Sequence, residues 1–464
     1  MKKINFTKIN KKAYVLMITI VLLVIVTVAF VLILNRQHSP SQKENDRTSH
    51  STALNEMDTK TQNNTKTETS TNNENNTDGE TEMITDNESN VDDENNTSQE
   101  TNTQETTANQ GETVTAQEDT LEVKVEKILN KMTLEEKVYQ MFIITPEALT
   151  NGNNVTTCNN YFREQLEQYP VGGIIYFAQN LINREQTTQM LQNARQYAYE
   201  VEGMPMFLCV DEEGGRVARI ANNPNFGVPK VGAMQYIGSA IEAYQAGETI
   251  GAYLNELGFN LDFAPVADVI TNDKNTVIGD RSFGTDAVIV TDYAAAYSNG
   301  LNSQNILSTF KHFPGHGSTE GDTHEGFAYT NKTYEELMEA ELVPFANGNK
   351  DVVMVAHISV PNIVGDNTPC TLSYKMISEI LRGDLNYNGL VITDAMNMGA
   401  IFNNYASDTA AVLAVLAGVD LILMPGDFFS AAQGVINAVY DGQISESRID
   451  TSVRRIIRKK LQME

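Results

Sequence analysis

The chain has 464 residues, 41% of them hydrophobic, no tryptophan and a net charge of −27. Such acidity argues against nucleic acid as a partner, since that is held by basic patches. Cys158, Cys209 and Cys370 are far apart and form no C-x-x-C pair, so neither a zinc ribbon nor a disulfide scaffold is indicated.

Five lysines lie within residues 1–12, and Ala13 to Leu34 is uncharged and almost wholly apolar. At about 1.5 Å per residue that stretch spans the roughly 30 Å of a bilayer core, which predicts a transmembrane signal-anchor helix over 13–34. Only Arg36 follows closely, so 1–12 is expected in the cytoplasm and the rest outside: a single-pass protein of the cell membrane with an extracytoplasmic domain. A cleaved signal peptide is the rival reading. Against it, the apolar run exceeds the roughly 7–15 residues of a secretory h-region and no small-x-small site follows. Residues 35–120 are dominated by Asn, Thr, Glu and Ser, and from Gln37 onward they lack Phe, Tyr and Trp. They cannot bury enough apolar surface to offset their ordering entropy and read as a disordered acidic linker.

Residues 121–464 alternate between short apolar runs and helix-like segments. The runs fall at 138–144, 171–177, 206–210, 261–266, 306–310, 352–356, 390–393 and 420–424. Capping boxes at Thr133–Glu136 and Thr333–Glu336 mark helix starts. Eight alternating units predict an α/β fold, a (β/α)8 TIM-type barrel forming one catalytic domain. Cys209, inside an apolar run, reads as a small core residue.

Polar residues stand at the ends of these runs: Asp211, Asp268, Lys311 with His312, His357 and Asp394. In a barrel, loops at the C-terminal strand ends converge, so residues nearly 190 positions apart would share one pocket. Densest is Lys311-His312-Phe313-Pro314-Gly315-His316-Gly317, followed by Asp322-Thr323-His324. Its histidines and Asp322 are all possible metal ligands, yet nothing matches H-E-x-x-H. His316 reads as a loop-stabilising residue, and His357 as either support or a ligand contact.

With the blocks Asp211–Arg219, Asp262–Val269, Gly279–Gly284 and Val391–Met396, this stretch resembles family 3 glycoside hydrolases. More narrowly it resembles their bacterial β-N-acetylglucosaminidase (β-N-acetylhexosaminidase) branch, which carries an Asp-x-His dyad four residues after the KHFPGHG block. The resemblance covers 121–464. It implies Asp394 as the nucleophile and His324, oriented by Asp322, as proton shuttle in place of a second carboxylate. It also implies Asp211, Arg219, Arg281, Lys311 and His312 as substrate contacts, and neither metal nor cofactor. Thr323 stands where serine is common. Structural pairing is the alternative for Arg219 and Arg281, and Glu213 with Arg216 is expected as such a pair.

The chemistry fits these assignments. Glycosidic cleavage needs an anion beneath the anomeric carbon and a proton donor at the leaving oxygen. Imidazole can donate and then recover a proton near neutral pH. Without tryptophan to stack a long chain, a pocket gripping one terminal sugar by hydrogen bonds favours exo action. The expected reaction is retaining exo-hydrolysis of terminal β-linked GlcNAc from cell-wall glycans or muropeptides. A β-glycosidase of other specificity, a glycoside phosphorylase and a catalytically silent wall-binding protein are the alternatives.

Overall fold

The computed structural model describes residues 120–319, 321–324, 326, 328–346 and 350–463. The expected cytoplasmic residues 1–12, the apolar stretch 13–34 and the acidic linker up to residue 119 lie outside the described residues. Among the described residues no helix is long and apolar enough to cross a membrane.

Ten strands are described: β1 (Phe142–Ile144), β2 (Gly173–Ile175), β3 (Phe207–Val210), β4 (Glu212–Gly214), β5 (Val217–Ala218), β6 (Leu261–Asp262), β7 (Thr309–Phe313), β8 (Val352–Val355), β9 (Leu390–Thr393) and β10 (Ile422–Leu423). One parallel sheet runs β10-β1-β2-β3-β6 and another β7-β8-β9. Parallel bridges Leu261↔Leu307 and Ile392↔Leu421 join the β6 edge to the segment before β7 and β9 to the segment before β10. These eight strands are buried throughout, as parallel strands covered by helices must be. The chain is thus α/β with parallel strands linked by helices.

Helix ends follow the local chemistry. Both capping boxes form, at Thr133 with Glu136 and Thr333 with Glu336. Helix Arg184–Glu202 stops at Gly203 and helix Ala240–Leu257 at Gly258, each glycine left-handed. Helix Ala240–Leu257 lies so close to helix Ala287–Asn302 that a Cβ on Gly247 would stand 2.1 Å from the Tyr297 carbonyl oxygen. The last helix, Glu446–Leu461, ties down N-terminal strand ends. Its Lys460 Nζ donates to Gln140 Oε1 (2.6 Å) ahead of β1, and Lys459 pairs with Asp351 (3.1 Å) ahead of β8.

Two local expectations change, and one hairpin is added. The run 138–144 begins as helix, because the helix capped at Thr133 continues to Gln140 and leaves only Phe142–Ile144 as strand. The strand expected over 306–310 forms three residues later, so Lys311 and His312 lie inside β7, beside a register shift against β8. Charged residues can occupy a buried strand there because their counter-ions arrive from β4 and the segment after β6. Glu212–Ala218 adds the antiparallel hairpin β4–β5, with a bulge that its glycines permit. All three cysteines are buried free thiols, with Cys209 in the core of β3 as expected.

Candidate active site

Several elements aim polar side chains at the C-terminal strand ends. Glu213 on β4 is the hub of a buried ion network. Its carboxylate takes a two-point contact from Arg281 (2.8 and 2.7 Å) and a third from Lys311 Nζ (2.6 Å). Burial alone would push the Glu213 carboxyl up, but the Arg281 and Lys311 charges beside it hold it far below the usual range. Burial pulls the Lys311 ammonium down, and Glu213 and Asp211 outweigh it, raising its pKa. Lys311 Nζ also donates to Asp211 Oδ1 (3.1 Å), so one lysine presents a fixed positive charge and orients a more open carboxylate.

Asp268 anchors the loop after β7. It is fully buried and accepts from the His312 and His316 backbone N–H groups (3.2 and 2.6 Å) and from His312 Nδ1 (2.7 Å). His312 Nδ1 is thus the donor to the Asp268 carboxylate, and among the described residues no hydrogen bond reaches Nε2. Burial is opposed first by the His312 charge and its hydrogen bond, and the Asp268 carboxyl ends below its ordinary value. The loop is seated further by Asn275 Nδ2 on the His316 carbonyl (2.7 Å). Gly317 fits because a Cβ there would meet the Val269 carbonyl oxygen at 2.0 Å.

Asp394 follows β9 and is half-buried. Its N–H donates to the Val355 carbonyl (2.9 Å), and its Oδ1 accepts from the Ala395 N–H (2.8 Å). Among the described residues no hydrogen bond reaches Oδ2. Burial would raise this carboxyl, but the fields of His357 and His312, then the Ala395 N–H and Lys311, keep it below the usual carboxylate range. It is therefore an anion with one uncommitted oxygen. His357 is buried beneath it, and burial lowers its pKa. Its Nε2 donates to the Ala395 carbonyl (3.0 Å), and its Nδ1 lies within hydrogen-bond distance of the Thr371 hydroxyl (2.7 Å). His357 thus holds the peptide after Asp394, the supporting one of its two expected roles.

Asp322 and His324 form the expected pair. Oδ1 of Asp322 accepts both the His324 backbone N–H and ring Nδ1, each at 2.8 Å. The His324 side chain is 64% exposed, the openness a proton shuttle needs. The Thr323 and His324 carbonyls accept from the N–H groups of Ala400 (3.1 Å) and Gly399 (3.2 Å), fastening the loop to the segment that follows Asp394.

Arg219 lies 3.8 Å from Asp211 Oδ2 and over the Phe177 ring, its side chain partly exposed. Arg281 differs: Glu213 occupies its fork, so structural pairing is its observed state. Arg216 pairs with Asp280 (3.1 Å) instead of Glu213, and donates to the carbonyls of residues 276–278. Sequence reasoning missed Glu213 as the hub and Asp268 as the loop anchor. Their partners lie 44 to 98 positions away, and the one available signal was a carboxylate at a strand end.

The sequence model of the glycosyl hydrolase family 3 N terminal domain matches residues 133–459. The β-hexosaminidase A of Pseudoalteromonas piscicida is 32% identical over 338 residues, which cover 67% of this chain and 56% of that protein. A β-hexosaminidase of Idiomarina loihiensis is 32% identical over 269 residues, 57% of this chain and 79% of the relative. Among solved structures, a glycoside hydrolase family 3 β-N-acetylglucosaminidase from Paenibacillus sp. FPU-7 aligns with a TM-score of 0.67 at 36% identity, covering 72% of this chain and 63% of the other. The chain therefore spans a little over half of the first relative's length and just under two thirds of the solved structure's. A match over some 70% of the residues, in a fold that brings the motif residues to one end of a parallel sheet, establishes that this chain belongs to glycosyl hydrolase family 3.

Proposed function

We propose that this protein is a retaining exo-β-N-acetylglucosaminidase that removes terminal β-linked GlcNAc from peptidoglycan-derived glycans. The observation that carries this reading is the pairing of Asp394, an anion with Oδ2 uncommitted, with an open Asp322–His324 dyad fastened to the segment just behind it. The names of the relatives support the sugar class. Bridges at both seams of the two sheets support a closed (β/α)8 barrel as the scaffold.

In the first step Asp394 Oδ2 bonds to the anomeric carbon as its bond to the leaving oxygen breaks, and protonated His324 gives that oxygen its proton. In the second, His324 takes a proton from water, the water oxygen bonds to the same carbon, and Asp394 departs as carboxylate. Asp322 fixes the proton on Nδ1 and supports the imidazolium. Asp211, Lys311, His312 and Arg219 hold the sugar hydroxyls, while Arg281 acts through Glu213 by keeping Lys311 in place. The N-terminal apolar stretch and acidic linker are proposed to tether this domain outside the cell membrane.

The test is hydrolysis of p-nitrophenyl β-N-acetylglucosaminide beside the matching β-glucoside by residues 120–464, with EDTA present and with or without phosphate. Turnover confined to the acetamido sugar and indifferent to phosphate is expected. Preference for the glucoside, or a sugar phosphate as product, would overturn the assignment.

A further inference from the structure

The loop that carries Asp322 and His324 leaves β7 through Gly315 and returns along the segment that follows β8. Its return leg is paired there: the Ser359 N–H donates to the Ala328 carbonyl (2.9 Å), and the Thr330 N–H to the Ser359 carbonyl (3.1 Å). Lys332 stands just beyond that pairing. Glu341 comes next, between the short helices Tyr334–Met338 and Val343–Ala346.

Glu341 is fully buried and joins three pieces of chain. Its Oε1 accepts from Lys332 Nζ on the return leg and from the Thr271 hydroxyl in the segment after β6, each at 2.5 Å. Its aliphatic carbons close against the outgoing leg at Gly315, where φ is +127° and a Cβ would stand 2.6 Å from Glu341 Cβ and 3.0 Å from its Cγ. Glycine alone adopts that backbone angle readily and leaves that room, so the turn and the glutamate are fitted to each other. Thr271 belongs to the same stretch as Asp268 and Asn275, which seat the loop. Both legs of the loop and the floor beneath it therefore meet at one side chain.

This carboxylate does not serve a ligand. Oε1 is engaged twice, and Oε2 is buried and accepts no hydrogen bond from the described residues. Burying a charge with one oxygen unmet is unfavourable, and an apolar residue of similar size would often hold the surrounding helices at least as well. What an apolar residue cannot supply is a directed contact across the neck of the loop. Pinning the two legs together shortens the free chain between them and so restricts where His324 can lie. The Gly399 and Ala400 N–H groups fasten the tip of the loop, and Glu341 fastens its base. A general acid must stand within about 2.6–3.2 Å of the oxygen it protonates, so a small displacement of the loop costs proton transfer before it costs sugar binding.

We propose that Glu341, acting through Lys332, is a positioning residue for His324: it touches neither the sugar nor the reacting atoms and acts by clamping the base of the loop that presents the acid. The proposal rests on the assignment of His324 as proton donor and extends the machinery of that step to an ion pair outside the pocket.

The experiment compares kcat/KM, which follows the reaction up to release of the leaving group, for p-nitrophenyl β-N-acetylglucosaminide and N,N′-diacetylchitobiose in the Glu341→Gln, Lys332→Met and Lys332→Arg proteins. The Lys332 side chain is partly exposed, so its variants keep the comparison decisive if Glu341→Gln does not fold. Glu341→Gln and Lys332→Met should lower the chitobiose value about tenfold or more and the nitrophenyl value less than about threefold, because only the poor leaving group needs the proton. Lys332→Arg, which keeps the charge, should stay near the parent on both. In a His324→Ala background Lys332→Met should lower the chitobiose value no further, as expected of two residues acting through one step. Equal losses on both substrates, or the full loss repeated without His324, would mark the ion pair as structural and overturn the proposal while leaving the glycosidase reading intact. A parent protein that turns over neither substrate would overturn both.

Discussion

Asp394 depends on neighbours for its charge and for its aim. Positive fields from His357, His312 and Lys311 keep it ionised, and one backbone N–H engages one of its oxygens. Asp394→Ala should abolish turnover of p-nitrophenyl β-N-acetylglucosaminide while circular dichroism stays unchanged. His324→Ala should slow that good leaving group far less than a natural glycan, for which loss of a general acid costs about 10²–10⁴-fold. Equal losses on both substrates would contradict the acid role. Glu213 gives a different signature. Its folded pKa is depressed, so the stability it contributes is complete above the unfolded carboxylate range and is lost as pH falls through the folded value. Glu213→Gln strands the mostly buried Arg281, leaves Lys311 with Asp211 alone, and should cost about 3–5 kcal/mol in denaturant unfolding at pH 7. At pH 3, where part of the wild-type contribution is gone, the difference should narrow. At this scale the sequence was legible where one short block carries the chemistry, as in Lys311–His324. It was opaque for Glu213 and Asp268, whose importance lies in partners supplied by other elements.

Among the elements, β7 and its loop are positioned from outside. Asp268 and Asn275 hold the loop, and Gly317 lets it press against Val269. Helix ends were readable because capping is local: threonine three residues before glutamate is a complete chemical statement. Strand limits were not. A three-residue strand such as β1 takes its length from the helix that precedes it, and β7 is displaced by ion pairs no periodicity reveals. One close helix contact is equally hidden. On helices Ala240–Leu257 and Ala287–Asn302, a Cβ at Gly300 would stand 2.2 Å from the Tyr244 carbonyl oxygen, as one at Gly247 would from Tyr297. Backbone cannot rotate aside as a side chain can. Either Gly→Ala change should therefore destabilise by about 1–3 kcal/mol or more, read as a lowered midpoint of denaturation. An unchanged midpoint would mean that the two helices part without cost.

Across the domain, functional and supporting chemistry separate to opposite strand ends. Asp211, His357 and Asp394 stand just past the C-terminal ends, with Lys311 reaching Asp211 from within β7, while Gln140 and Asp351, ahead of β1 and β8, are tied to the last helix. Helix Leu121–Leu129 runs along that last helix, with Glu122 paired to Arg458 and Glu126 to Arg454. The chain thus enters the described residues beside the supporting end. The family match begins only at Thr133, which raises the question of whether Leu121–Leu129 is part of the domain. Its exposed ion pairs add little, but Val125 and Leu129 are buried, and each such side chain contributes about 1.5–3 kcal/mol. A fragment of residues 133–464 should therefore unfold at lower denaturant than residues 120–464, although no site residue has been removed. Turnover per folded molecule at 25 °C should be equal for the two. Matching midpoints would place the boundary at Thr133 and make the helix dispensable to the domain. Loss of turnover at an unchanged midpoint would instead mean that the supporting end communicates with the site.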